Sequence, residues 1–186
     1  CDPYLANKAA TGEPTRTCLT CNKGCSDALT SRRYVSCVLN AENGDEQTIF
    51  IREGEPASGK DKKTIAVVGA GIAGLEAARV AAKRGYHVEL YDAADRIGGQ
   101  LNLAAAPPRK SEILRAVSYY EQLLPTLDVS LHLNTVCTAQ MLREADGVIV
   151  AVGAQNMVLP VEGADGKQVV SSWDVLGGKV LQSGRC

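Results

Sequence analysis

The chain has 186 residues, with twenty basic and twenty-one acidic side chains and a formal charge of −1. That is room for one sizeable core plus a small appendage, and too little for two full domains of ordinary size. Both signs of charge are scattered, which gives no nucleic-acid or anionic-membrane surface, and no apolar stretch approaches the roughly 20 residues of a membrane span. Without a charged start leading into an apolar signal core, the sequence predicts a cytoplasmic protein. Val, Leu, Ile and Ala supply the apolar volume beside one Phe and one Trp, a composition suited to an α/β sheet.

Residues 1–17 lack periodicity and open on Cys-Asp-Pro without a methionine, so the chain is expected to begin inside a longer polypeptide. A cysteine-bearing segment follows over Cys18 to Leu39, with a short helix predicted within Cys25 to Arg33. From Asn40 to Lys63 an Asn-Gly pair, a proline, a Ser-Gly pair and a charged run surround one possible short strand at Thr48 to Ile51. The predicted division is a cysteine-rich segment at 1–40, a linker at 41–63, and an incomplete nucleotide-binding domain at 64–186. Thr64 to Val68 is a β-branched apolar run of the kind buried in parallel sheets. Leu75 to Arg84 reads as a helix stopped by Gly85, and His87 to Tyr91 as the second strand. Ser111 opens a further amphipathic helix. Val129 to Leu133 and Gly147 to Val152 complete four strands, the last too apolar to have a wet face. The tail from Gln155 is rich in turns, and Val180 to Cys186 reads as interrupted rather than capped.

Gly69-Ala70-Gly71-Ile72-Ala73-Gly74 fits G-x-G-x-x-G, a weak signal alone. Here it follows an apolar strand, opens a helix, and has Asp92 at the end of the next strand, which is the full context of a dinucleotide fingerprint. Gly69 allows the tight turn, Gly71 lets backbone approach a pyrophosphate, and Gly74 lets helix and strand pack closely. Free amides and the positive dipole end of the helix then face phosphate. Asp92, followed by Ala93, suits ribose hydroxyls and repels a 2′-phosphate, so FAD, ADP or NAD is favoured over NADP. Gly98-Gly99-Gln100 supplies a second glycine pair where backbone passes a ligand. Gly153 ends the fourth strand at the carboxyl edge of the sheet, where open α/β folds bind ligands.

Cys18-x2-Cys21-x3-Cys25-x11-Cys37 places three thiolates on one tight loop and a fourth nearby. Zinc and iron–sulfur centres both accept four cysteines; the tight triplet favours a [4Fe–4S] cubane, and zinc stays open as the alternative. Cys137 has no partner at ligand spacing and reads as a small buried hydrophobe. His87 and His132 lie on strands without an adjacent nucleophile, so sheet-edge or surface roles are expected. Trp173 is read as a packing residue.

Together the segments CLTCNKGC (18–25), VSCVLN (35–40), VVGAGIAGLEAARVAAKRGYHVELYDA (67–93) and RIGGQLNLAAAPP (96–108) resemble the iron–sulfur flavoenzymes related to 2,4-dienoyl-CoA reductase, trimethylamine dehydrogenase and the enoate reductases, within the NADH:flavin oxidoreductases. ADGVIVAVGA and VVSSWDVL add to the likeness, which covers nearly the whole chain. The resemblance implies a Rossmann-like FAD/NAD(P)-binding domain with a parallel sheet, preceded by a small cluster-binding loop, in a chain lacking both the FMN barrel and the NAD(P)H-binding insert. It implies a [4Fe–4S] cluster on Cys18, Cys21, Cys25 and Cys37. It also implies FAD or ADP on Gly69, Gly71, Ala73, Gly74, Asp92, Ala93 and the Gly99-Gln100-Leu101 stretch. The expected function is an electron relay from NAD(P)H through FAD and the cluster to FMN, serving reduction of an unsaturated acid or thioester, or amine dehydrogenation. Such a chain alone would bind cofactors without turning over substrate. Two rivals are a small electron-transfer subunit of a multi-chain enzyme, and a non-enzymatic nucleotide module with a structural zinc.

Overall fold

A computed structural model describes residues 2–51, 54 and 62–179. Cys1, the tail from Val180 to Cys186 and part of the expected linker lie outside the described residues.

Four parallel strands carry the fold: β1 (Thr64–Val68), β2 (His87–Tyr91), β3 (Val129–His132) and β4 (Gly147–Val150). Their order is β3-β2-β1-β4. Ile65 pairs with Val88 on one side and Gly147 on the other, and Val88 in turn pairs with Val129. The chain thus builds outward from β1 through β2 to β3, then returns to the opposite flank of β1. That reversal makes the carboxyl end of β1 the switch point, where ligands bind in open α/β sheets.

Helix α3 (Ile72–Lys83) connects β1 to β2, starting three residues earlier than its apolar pattern indicates because the glycine turn already has helical geometry from Ile72. Leu75 and Ala78 of α3 and Val67, Val88 and Leu90 of the sheet are wholly buried. Burial of each large side chain among them is worth about 1.5–3 kcal/mol over exposure. After β2 come α4 (Gln100–Ala104), a 3₁₀ turn at Ser111–Ile113 and α5 (Leu114–Leu123). Val117, Tyr120 and Leu123 of α5 join the same core.

Before the sheet lie α1 (Leu5–Thr11) and α2 (Ser26–Thr30). The sequence pattern gives no sign of α1, which buries no side chain and therefore leaves no amphipathic trace. The possible strand at Thr48 to Ile51 does not form: the amides of Thr48 and Ile49 both bond back to the Asp45 carbonyl, curling the segment into a turn. A short α6 (Ser172–Leu176) interrupts the turn-rich tail; the Ser171 side chain accepts a bond from the Trp173 amide at its start, and half-buried Trp173 lies on it. Strand β4 stops at Val150, two residues short of expectation, and is wet: Val148, Ile149 and Val150 are 44%, 39% and 69% exposed. As the last strand in the order it has, among the described residues, only β1 beside it.

The two strand histidines are half-buried, His87 on the interior strand β2 and His132 on the edge strand β3, and both join one charged network. His87 on β2 bonds Asp128 through Nδ1 and Glu89 through Nε2, each at 2.9 Å, and His132 reaches Glu89 at 2.5 Å. His132 also stacks on Tyr91 with ring centroids 4.7 Å apart. The Asp128 carboxylate, and after it Glu89, holds the His87 imidazole above its ordinary 6.5. A raised folded value means that His87 stabilises the fold fully below its ordinary value, and the gain fades as pH climbs through the raised one. The melting temperature should therefore fall by roughly 1–2 °C as pH rises from about 6 through the raised value, a small effect because the network is half open to solvent. His87→Asn should flatten that part of the melting-temperature profile.

Candidate functional site

The glycine turn is shaped by three different demands. Gly69 stands at φ +106°, and a Cβ there would sit 2.4 Å from the Ala151 carbonyl oxygen. Gly74 faces inward, where a Cβ would lie 1.8 Å from the Gly69 carbonyl oxygen, so α3 rests directly on the turn that precedes it. At Gly71 the situation is opposite: φ is an ordinary −70°, and a Cβ would meet no protein atom within 4 Å. Open space at that position is what an approaching pyrophosphate requires. Gly71 is also the N-cap of α3 and no side chain caps the helix, so its dipole end is available to an anion.

Asp92 stands where the motif places it. One carboxylate oxygen accepts the Ala70 amide at 2.5 Å and the other the Ala94 amide at 2.8 Å. Each oxygen retains a lone pair, so the carboxylate is oriented by backbone and can still accept from ribose hydroxyls. Gly69, Asp92 and Ala93 line one cleft of about 260 Å³ at the carboxyl edge of β1 and β2, with Val68, Tyr91, Thr135, Val136, Cys137 and Val152. Cys137 is thus a half-exposed cleft residue, correcting the buried role expected of it. The order of strands explains this: β3 lies beside β2, so the loop after β3 passes over the end of Asp92's strand.

The second glycine pair belongs to the same edge. Gly98 (φ +103°) donates its amide to the Ala70 carbonyl at 2.8 Å and bridges Gly71. Gly99 (φ +51°) lies so near Gly71 that a Cβ would come 3.0 Å from its Cα. Gln100 reaches the Ala154 carbonyl at 3.1 Å, and a Cβ on Gly153 would meet that same side chain at 3.3 Å. Ala73 is exposed on the first turn of α3. Leu101 differs from the others, because its side chain packs on the core and its amide bonds the Gly98 carbonyl.

In the cysteine loop Thr20, Asn22 and Gly24 all adopt positive φ (54°, 56° and 87°). For Thr20, a β-branched residue, this is unfavourable backbone, of the sort that persists where function over-determines it. The Thr20 amide points at the Cys18 sulfur, 3.3 Å away. Gly24 accepts the Ser36 amide at 2.7 Å, bringing the stretch that carries Cys37 against the triplet loop. Cys18, Cys21, Cys25 and Cys37 are all free thiols, two exposed and two half-buried. Their donor chemistry suits a soft metal centre. Among the described residues, however, no three Cys, His, Asp or Glu side chains are gathered into a ligand set.

What the motifs do not disclose is how the loop is fastened to the nucleotide domain. Arg115 on α5 donates to the Cys18 carbonyl at 2.8 Å. Buried Arg16 lies over the Tyr119 ring of the same helix, 5.0 Å from its centroid. Val38, Leu39 and Ala41, just past Cys37, line a common cavity with Ile72 and Glu76 of α3. The two Arg–α5 contacts have no local spacing signature, since they join residues about a hundred positions apart.

Substitution should separate the glycine roles. Gly71→Ala is expected to melt within about 1 °C of the parent while losing at least tenfold in adenine-nucleotide affinity by titration calorimetry, because it fills only the ligand's space. Gly74→Ala should fail to give the native fold by circular dichroism, because it drives a Cβ into the Gly69 carbonyl. Arg115→Ala should leave the sheet intact yet speed hydrogen exchange across residues 16–25 about fivefold, the loss of one hydrogen bond of about 1 kcal/mol.

Residues 67–124 match a family described as an NAD(P)-binding Rossmann-like domain. The chain is similar to a bilirubin reductase of Mediterraneibacter gnavus (strain CC55_001C), 44% identical over 188 residues, which is 99% of this chain and 28% of that protein. Its structure is similar to that of a 2-naphthoyl-CoA reductase in complex with 2-naphthoyl-CoA, with a TM-score of 0.87, 34% identity, and coverage of 98% of this chain and 28% of the other. It is also similar to 6-hydroxypseudooxynicotine amine oxidase from Pseudomonas geniculata N1, with a TM-score of 0.79, 34% identity, and coverage of 97% and 29%. The chain spans less than a third of the length of each of these proteins. It belongs to the NADH:flavin oxidoreductase family of reductases and amine-oxidising enzymes.

Proposed function

We propose that this chain is the electron-relay segment of a flavin-dependent oxidoreductase, holding FAD at the carboxyl edge of β1 and β2 and a [4Fe–4S] cluster on the cysteine loop. The observation that carries this reading is the fastening of the loop onto the nucleotide domain: residues just after Cys37 share a cavity wall with the first turn of α3. Two cofactor stations built on segments so joined can exchange electrons.

The chain's own groups have distinct tasks in this reading. Gly71 leaves room for the pyrophosphate, the uncapped start of α3 stabilises its charge, and Asp92 orients the adenosine ribose. Gly98, Gly99 and Gln100 close the site against Gly153. Cys18, Cys21, Cys25 and Cys37 supply thiolates, while the Thr20 amide donates to the Cys18 sulfur and so favours electron density there. When bound, the two groups supply passage of single electrons between a pyridine nucleotide oxidised at one end and FMN reduced at the other. The FMN barrel and the NAD(P)H-binding portion are partners of this segment, and they set whether an unsaturated acid or thioester is reduced or an amine is oxidised. The carboxylate of Asp92 disfavours a 2′-phosphate, which leaves FAD, ADP or NAD; the resemblance of the whole segment favours FAD or its ADP moiety here.

Protein prepared anaerobically should be brown, carry about four iron and four acid-labile sulfide per chain, and lose most of its iron in Cys25→Ser. Colourless protein with about one zinc per chain would replace the relay by a structural metal. Failure of both FAD and ADP to bind would remove the nucleotide half.

A further inference from the structure

Residues 2–51 withdraw little of themselves from water. The buried ones are Arg16, Ala28 and Asn40, so Ala28 is the one fully buried apolar side chain of the span. Segments with so few buried apolar groups open at low cost, independently of a protein's core. The span is nevertheless joined within itself: Gly24 accepts the Ser36 amide, Ala28 the Arg33 amide, and the Glu42 side chain the Ile51 amide. The stretch from the cysteine triplet to Cys37 can therefore move as one body.

Its attachment is correspondingly narrow. Arg115 donates to the Cys18 carbonyl, Arg16 lies over the Tyr119 ring, and a cavity of about 110 Å³ remains where Val38 and Leu39 meet Ile72 and Ala116. Arg16 is the unusual member of this set. Its Nε and Nη2 are buried and, among the described residues, have no hydrogen-bond partner. The carboxylates that act on it are already committed: Glu76 takes Arg79 and the Tyr120 hydroxyl, and Asp2 takes Lys8 and the Tyr4 amide. Attraction to these groups and to the ring partly offsets the lost hydration, but two donors of a charged group stay unmade for as long as the loop is docked. Undocking returns both to water.

We propose that the cysteine loop is a releasable unit: residues 16–40 undock from α3 and α5 as one body while the sheet stays folded, and Arg16 weakens the docked state rather than holding it. Unfavourable groups of this kind persist where an element has to move. Cys18, Cys21, Cys25 and Cys37 all lie in this unit, so its release changes the spacing between the cysteines and the glycine turn. The inference rests on packing and stands whether or not the relay does; within the relay, release would interrupt the passage of electrons.

The test is hydrogen exchange under native conditions, read by mass spectrometry on peptides within 16–40 and on peptides covering β1 and β2. In the unaltered chain the hydrogen-bonded amides of Leu29, Arg33 and Ser36 should exchange at least about a hundredfold faster than those of Gly69 and Val88, a measurement that needs no variant to fold. Arg16→Met is apolar, similar in length and able to pack its sulfur on Tyr119. It should slow exchange within 16–40 at least about threefold and leave β1 and β2 unchanged. Iron, sulfide and zinc are measured on the same samples, and parent and variant are compared at equal metal content. Failure of the relay then shows in the metal content, while the exchange ratio reports the loop. Exchange of 16–40 at the rate of the sheet would overturn the proposal, because the loop would open only with global unfolding. Exchange at the rate of an unstructured chain would do the same, since there would be no docked state to leave. Faster or unchanged exchange in Arg16→Met would also overturn it, by making the guanidinium an anchor or a bystander.

Discussion

The contact between Gly74 and the Gly69 carbonyl is the constraint around which the structure is arranged. A helix can follow β1 this closely only if its third residue has no side chain, and the close approach is what aims the uncapped end of α3 past Gly71. The same turn receives the Gly98 amide through Ala70 and the Asp92 carboxylate on the Ala70 amide. Three separate segments are therefore registered on a single dipeptide. The expected nucleotide site is the place where the sheet reverses direction, the helix begins and the second glycine pair arrives, and one steric condition governs all three.

Helix α5 has a comparable role for the cysteine segment. It turns Val117, Tyr120 and Leu123 to the core, and it offers Arg115 and Tyr119 to the loop. Tyr120 links it through Glu76 to α3. These arginine, tyrosine and carboxylate contacts join the cysteine segment, α5 and α3. Apolar packing alone would be cheaper in desolvation; charged groups with fixed donors fix relative orientation more narrowly.

Much of this was legible from residue order alone. The run from Thr64 to Tyr91 prescribes strand, turn, helix and strand almost to the residue, because apolar period, glycine positions and the terminal acid agree with one another. The carboxyl-edge location of Gly153 follows from the same logic. Legibility fails where structure is not local. Helix α1 buries nothing and so has no pattern to read. The turn closed on the Asp45 carbonyl outcompetes the β-branched residues at 48–51. Cys137 reaches the cleft because of strand order, which spacing along the chain does not encode, and Arg16 and Arg115 act across about a hundred residues. The cysteines show a finer division: their type and spacing lead to the expectation of a metal centre, whereas among the described residues no three ligand side chains are gathered into a set.

The wetness of β4 carries a consequence for handling this protein. Val148, Ile149 and Val150 present an apolar row on a strand whose outer hydrogen-bonding edge has no described neighbour. Such an edge is a template for strand addition, and a row of β-branched residues without a charge or proline is the composition least protected against it. An uncovered edge of this kind favours edge-to-edge association, so a neighbour laid on β4 would act as a solubility device as well as a structural one.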